Sequence, residues 1–546
     1  MLQFLSPNYH VNHPDASLQQ TEYHVQATVG DLVQIAFHFQ QEENEVPKIS
    51  VMGEQIQDYL YQFCATEAYI GRGMTAGIIP TGPNQPVYDF LKPVANAVID
   101  VSNGYFALLL PVTKKGVLTG EISSHSQVLH FHIDSLPRLE EEDYGLELWQ
   151  YPYAVARYYG LEEGELFGSR HEKLVKESLL AYHQAGGDTV AVTVVEDPWH
   201  HQTYDAYPSL IKWVLTDEGF TFDFSDFDTY LRWNQEVGIT GKIKSFSVAP
   251  WENRIGYYVE EKLVWEQLEV GSLRWQEVWG QFLQAYGNHL EEKGLFQKTY
   301  LALDERPLAE VEAIYQLVQR YPNREGQRFK LSAAVNFQLE QQAVLEYYDD
   351  LAISQAYLGK KSDIQKLCRH RRKAHQTTSI YNCVGDYPSM FALSQPMETA
   401  YLLWFSESIG VSGFLRWALD AWPQAPHTSI SHWFWESGDS LLIYPHQGQE
   451  QQVYWTPRFL TLQHTIREIK QYRALKNQAP ELVKELTNLL DSLTLPQGER
   501  NEYGAQVARH AQIDKKAFVE KLDQIHRFLY KGIYDYWKVH TIKKDK

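Results

Sequence analysis

From residue 146 to residue 423 the chain alternates between short apolar runs and amphipathic stretches of helical period. TVAVTVVEDPW (189–199), KIKSFSVAPW (242–251), KTYLALDERP (298–307), FKLSAAVN (329–336), DDLAISQA (349–356), HQTTSIYNC (375–383) and VSGFLRWALDAWP (411–423) read as strands. Between them, HEKLVKESLLAYHQAGGD, DFDTYLRWNQEVGI, WQEVWGQFLQAYGNHLEEKG, LAEVEAIYQLVQRYP and METAYLLWFSESIG read as helices. Strands separated by helices cannot form hairpins, so they must lie parallel. The count is near eight, which predicts a (β/α)8 TIM-type barrel over 141–478 rather than a doubly wound sheet. No GxGxxG or GxxxxGK[ST] opens a helix, which argues against a nucleotide cofactor.

The flanks have a different grammar. Residues 1–140 carry alternating runs such as TEYHVQATVGDLVQIAFHFQ, GYFALLLPV and QVLHFHIDSL, bounded by turn residues, and predict an antiparallel β-sandwich. PRLEEEDYG, 137–145, reads as a linker. Residues 479–546 read as a helical extension, with helices near 480–494 and 515–538 packing on the barrel.

Composition narrows the partners. The net charge of −20, from 69 acidic and 49 basic side chains, repels nucleic acid and anionic membranes. Three cysteines form no CxxC and no disulfide framework. The N-terminus has no basic start followed by a long apolar run, and no run is long enough to span a bilayer. A cytoplasmic protein without membrane or nucleic-acid partners is expected; the oligomeric state is not legible. The 15 Trp, 35 Tyr and 24 Phe fill a large core, and the same flat faces suit sugar rings.

In a parallel barrel, chemistry collects at the C-terminal ends of the strands. Reading those ends gives Trp199, His200, His201 and Tyr204; Trp251; Asp304 and Glu305; Asn336; Tyr381 and Asn382; and Trp417, Asp420 and Trp422. Two adjacent carboxylates ending an apolar strand are costly to bury without partners. Inside a strand they would face opposite ways, but at its end the backbone can turn both toward the mouth. Two carboxyls in different surroundings can divide the work, one giving a proton and the other staying charged. Together with aromatic platforms this describes a glycosidase, although an Asp-Glu before a proline is commonly just solvated.

Other chemistries fare worse. Adjacent His200 and His201 lack the spacing of a metal site and no HExxH occurs, so no metal site and no cofactor are expected. Cys383 reads as a small buried hydrophobe, and GxSxG is absent. Trp417 fits pocket and core equally well by pattern.

Several stretches, in order, resemble glycoside hydrolase family 123, the β-N-acetylgalactosaminidases, and related uncharacterised bacterial proteins. These are LELWQYPYAVARYY (146–159), DPWHHQTYDAYPSLIKW (197–213), FDFSDFDTYLRWNQEVGI (222–239), the acidic pair of LALDERP and GFLRWALDAWP (413–423). The resemblance covers about 145–475. It implies a retaining mechanism in which the substrate's 2-acetamido oxygen is the nucleophile. It further implies that Glu305 is the general acid/base, that Asp304 orients the acetamido group, and that Trp417 stacks under the sugar. The segment TPRFLTLQHTIREIKQYRAL (456–475) departs from the family pattern while keeping Arg458 and Arg467-Glu468, and is expected to lie outside the pocket. Two alternatives stay open: a glycosidase for another 2-acetamido sugar or glycan, and a catalytically silent carbohydrate-binding protein.

Overall fold

The computed structural model describes residues 1–544 except 41–46, 56–58, 70–83, 95–102, 141, 201–203, 337–344, 383–385, 433–434, 449–450, 497–498, 501–505 and 508–514. Eight strands share one parallel sheet. They are β1 Gly145–Leu148, β2 Thr189–Thr193, β3 Lys242–Phe246, β4 Thr299–Asp304, β5 Lys330–Val335, β6 Asp350–Ser354, β7 Thr377–Tyr381 and β8 Gly413–Arg416. From β2 onward each strand pairs with its successor, and β8 pairs back onto β1. Between β1 and β2 the structure has a single bridge, Leu146 to Gly187, so the barrel is nearly closed.

Side chains complete that seam. The Gln150 carboxamide donates to the Leu148 carbonyl and to Thr189 O at 3.2 Å, and its oxygen accepts from Ala191 N at 3.1 Å. The Tyr182 hydroxyl lies 2.9 Å from Leu146 O and accepts from Thr189 N at 3.2 Å. A Cβ on Gly187 would sit 2.0 Å from the Tyr182 ring, so only glycine admits the tyrosine there.

Alternation sorts each strand between two environments. Leu146, Val190, Val192, Ile243, Leu301, Leu303, Leu331, Ile353, Ile380 and Phe414 face outward into one large core. The helices Ser169–Gln184, Ser225–Glu236, Leu273–Glu292, Leu308–Val318 and Pro396–Ser408 supply its other side. The inward positions form two layers. The lower is ionic: Lys244 lies between Glu147 and Asp350, and Lys242 reaches Asp350 at 2.8 Å. Two lysines against two carboxylates leave no net charge, which is what burial of such a layer requires. Above it, Ala191, Ala302, Ala334 and Ala352 point inward, and their small size leaves the mouth open for larger rings.

The sequence reading differs from the structure in two places. The sequence reading does not make β1 a strand, and only its first residue, Gly145, falls in the segment read as a linker; four residues are too few for a periodic signal. A four-stranded sheet also stands beside the barrel, built from Lys212–Thr216, Gly219–Asp223, Arg254–Val259 and Lys262–Gln267. It comes from the segments after β2 and β3, to which the sequence reading assigned no strand.

At the N-terminus, sheets of seven and five strands pack Phe37, Phe106, Phe131 and Ile133 between them. Pairing is antiparallel except for Glu22–Thr28, which runs parallel to Val128–Leu136. The seven-stranded sheet ends in two strands from far along the chain, Tyr454–Trp455 and Ile443–Tyr444. Helices Pro457–Gln478, Lys484–Asp491 and Lys515–Lys544 follow. No helix among the described residues is long and apolar enough to cross a membrane.

Arg458, kept in the segment that departs from the family pattern, ties these parts together. Fully buried, it pairs with Asp89 of the N-terminal sheet at 2.8 Å and donates to Met390 O (2.6 Å) and Gly438 O (2.9 Å). Asp89 also accepts from the Tyr444 hydroxyl at 2.7 Å. Arg458→Met is expected to cost about 3–5 kcal/mol, because it strands a buried carboxylate. Thermal melting checks this; an unchanged melting temperature would show that the pair holds nothing.

Candidate active site

β4 carries Ala302 and Asp304 inward, so Glu305 would by alternation face out. It does not, because the Glu305 backbone is left-handed, with φ 48°. Its N–H still donates to Ala334 O at 3.0 Å, so the turn begins while the residue is held to β5. That reversal brings both carboxyls to the mouth. The Tyr381 hydroxyl, from the end of β7, donates to Glu305 Oε1 at 2.5 Å, and Asn336, just past β5, donates to Oε2 at 2.9 Å.

Left-handed residues cluster here. Of nine non-glycine residues with positive φ among the described residues, Asp197, His200, Glu252, Asn253 and Glu305 follow β2, β3 and β4. Such backbone is costly and persists where surroundings enforce it. Arg306 is one enforcer: it donates to Asn253 at 2.6 Å and to Glu310 at 2.7 Å, locking the segment after β3 to that after β4.

Burial sets the electrostatics. It pushes the Asp304 carboxyl well above the usual range, and the neighbouring Glu305 charge adds to the rise. The Trp199 indole N–H and Arg306 oppose it. Trp199 Nε1 is buried, and its N–H reaches Asp304 only as a loose, poorly aligned donor. Burial also raises Glu305, opposed by the Tyr381 hydrogen bond. Two close carboxyls that both resist ionisation titrate as a pair rather than independently.

Aromatic rings wall the mouth. Trp199 stacks on Trp149 at 5.4 Å and meets Tyr207 edge-on at 5.3 Å, with Phe246 and Tyr151 in the same cluster and Trp251 and Trp417 packed against it. Trp417 is half-buried. Its indole N–H donates to Asp439 at 3.0 Å, its carbonyl accepts from the Tyr151 hydroxyl at 2.6 Å, and Trp435 lies 5.7 Å away. Asp439 in turn pairs with the buried Arg416 at 2.5 Å, which donates to Asn382 at 2.8 Å.

The residues expected at the site thus separate. Glu305, Asp304, Tyr381, Asn336, Trp199, Trp251 and Trp417 share the mouth. Asn382 sits behind it, holding Arg416 and Gln355. Two expectations need correction. Asp420 is buried, its carboxylate accepting from Tyr151 N at 2.9 Å, and burial raises it to about 6; it braces the turn after β1. Trp422 is fully buried among Tyr158 and Tyr159, with its N–H on Ile443 O at 2.8 Å, which leaves no face for a ligand. Tyr204 is exposed, edge-on to His432 at 5.9 Å. His201 lies outside the described residues; His200 pairs with Glu252 at 3.3 Å. The reading missed Trp149, Tyr151 and Asp439. The first two follow a strand that was itself missed, and Asp439 lies on a long loop without periodicity.

A buried, mutually repelling carboxyl pair beneath an aromatic rim at the strand ends of a parallel barrel defines a glycoside hydrolase. Residues 149–475 match the model of the glycoside hydrolase 123 catalytic domain. A solved structure from Clostridium perfringens, described as giving the details of glycolipid glycan hydrolysis by a family 123 glycoside hydrolase, is 29% identical. It superposes with a TM-score of 0.87 over 99% of this chain and 100% of that one. A structure from Bacteroides vulgatus is far more distant, at 11% identity and TM-score 0.34 over 84% of this chain and 79% of that one. A search of curated protein sequences finds no match. The chain belongs to glycoside hydrolase family 123.

Trp417→Ala is expected to raise KM and lower kcat together, with Trp417→Phe milder, if the ring held by its N–H on Asp439 orients a sugar. Steady-state kinetics alongside melting curves decide this. A variant that melts far lower yet turns over normally would assign Trp417 to the core.

Proposed function

We propose that the protein is a retaining β-N-acetylgalactosaminidase on a (β/α)8-type barrel, using the substrate's own 2-acetamido group as nucleophile. Glycolipid glycans, the substrates named for the Clostridium perfringens relative, are the substrate class we extend to it. The observation that carries the reading is the pair itself: adjacent carboxyls turned to one side by the left-handed Glu305 backbone. Side-chain nucleophile and acid must straddle the sugar, about 5–5.5 Å apart. Neighbours on one strand end are poorly placed for that, and a nucleophile supplied by the substrate removes the need.

In this reading Glu305 protonates the glycosidic oxygen, then takes a proton from the water that opens the oxazolinium ring. Asp304 accepts from the acetamido N–H and offsets the positive charge of that ring. The donors on Glu305 favour its anion, and on this reading the free site holds its proton on Asp304. An amide N–H arriving at Asp304 reverses the preference: Asp304 takes the charge, Glu305 the proton. A panel of chromogenic glycosides tests the assignment. Cleavage of the N-acetyl-β-galactosaminide and poor cleavage of the plain β-galactoside are expected; preference for a sugar without the acetamido group would sink it.

A further inference from the structure

Away from the barrel mouth, the helix Pro457–Gln478 packs against the helix Lys515–Lys544. His464 and Glu468 stand one turn apart on the first, four residues from each other, so both project from one face. His526 meets them from the second: its Nδ1 lies 2.7 Å from Glu468 Oε1, and His464 Nε2 lies 3.3 Å from the same oxygen. Each residue offers one ligand atom, and the three atoms lie within 4.8 Å of one another. The two imidazole rings are nearly parallel, 5.9 Å apart, facing across the carboxylate.

Three further observations bear on what this cluster holds. The Glu468 side chain is only 4% exposed, while the histidines are 32% and 40% exposed, so the carboxylate is committed to the interior and the imidazoles are reachable. Both imidazoles and the Tyr530 hydroxyl crowd the Glu468 carboxylate, yet Oε1 has no well-aligned hydrogen bond. Asp31, on the turn before the strand Leu32–Gln40, is 3% exposed, and its Oδ1 also lacks a hydrogen bond. It is close enough to bias His464. His464 and His526 border a cavity of about 630 Å³, together with Arg467, Tyr23 and Tyr530. Arg467 and Arg527 also line it, and the Arg467 guanidinium is occupied by Gly30 O (3.1 Å) and Gln184 O (3.3 Å).

We propose that His464, Glu468 and His526 form a site for one divalent transition-metal ion of the zinc class, clamping the C-terminal helix to the helix Pro457–Gln478. Two imidazoles and a carboxylate are a nitrogen–oxygen set that such ions favour, with at least one position left toward the cavity. The i, i+4 pair on one helix, completed from a second, places the ligands on rigid elements. An ion there would bind the folded chain and not the unfolded one, so it raises apparent stability. The site is separate from the chemistry at the barrel mouth.

The test uses the full chain, stripped with chelator, desalted and titrated with Zn2+. One equivalent is expected to bind and to survive gel filtration, the melting temperature rising with Zn2+ concentration, and glycosidase activity is expected to be the same with and without the ion. His526→Gln should weaken binding by more than about 100-fold, since even outer-shell changes cost 10–100-fold. Should the variant fail to fold, Zn2+ protection of histidines from diethyl pyrocarbonate, mapped by mass spectrometry on the native chain, locates the ion; protection of His464 and His526 supports the site. An ion-pair triad that retains no metal, or Zn2+ binding undiminished in His526→Gln, overturns it.

Discussion

Glu305→Gln is expected to cut hydrolysis of an alkyl glycoside by about 10²–10⁴-fold while leaving product binding near wild type. The size follows from the role. An alkoxide leaves poorly without a proton, and in the proposed mechanism Asp304, the other carboxyl of the pair, is committed to the acetamido group. Glutamine keeps the shape and can still accept from Tyr381 at one atom, but it cannot release a proton. The loss should shrink on a nitrophenyl glycoside, whose leaving group needs little help. Equal losses on both substrates would remove Glu305 from the acid's role, and near-normal turnover of the alkyl glycoside would do so outright.

Asp304→Asn is the second large effect, and its sign on stability differs from its sign on activity. Activity should fall steeply, because an amide cannot carry the charge that balances an oxazolinium. Stability should not. Burial raises Asp304 in the folded chain above its value of about 3.9 in the unfolded one. Below that unfolded value both states hold the proton and the group is neutral in its effect. As pH rises past it, the unfolded chain ionises freely and the folded chain does not, so stability is lost until the folded value is reached. Asparagine escapes that loss, and the variant should melt at or above wild type at neutral pH. A thiazoline mimic of the cyclised sugar should bind wild type more tightly than the product, and lose that advantage in Asp304→Asn. Trapping a fluorosugar on an enzyme carboxylate would show that a side chain is the nucleophile.

Why the barrel was legible and parts of its mouth were not has a physical answer. Strands such as TVAVT and KLSAAV are buried on both faces, and so read as unbroken apolar runs between helices with clear period. β1 has four residues, and its inward Glu147 belongs to the ionic layer, which hides it from a search for apolar runs. The acidic pair was visible because it interrupts an apolar strand. What turns it, the left-handed Glu305 backbone, leaves no mark in residue types. Trp422 misled for the opposite reason: the strand-end rule points at it, but β8 ends at Arg416 and the chain has already turned back into the core. Arg416 itself was the better clue, a cation inside an apolar run, which needs a buried partner and finds Asp439.

The far-reaching strands of the N-terminal sheet bear on how the chain is made. The strand Gln85–Pro93 pairs with Trp455, so the edge that it presents is covered only after more than 360 further residues have left the ribosome. At 5–20 residues per second that interval is roughly 20–70 s. Throughout it a strand with Val87, Phe90 and Leu91, all buried in the finished molecule, stands at an open sheet edge, the arrangement most prone to pair with a neighbouring chain. Slower synthesis of the barrel lengthens the exposure, and warmth or crowding sharpens its cost. For this protein, yield in a foreign host should depend on translation speed and chaperone supply more than on the stability of the finished fold.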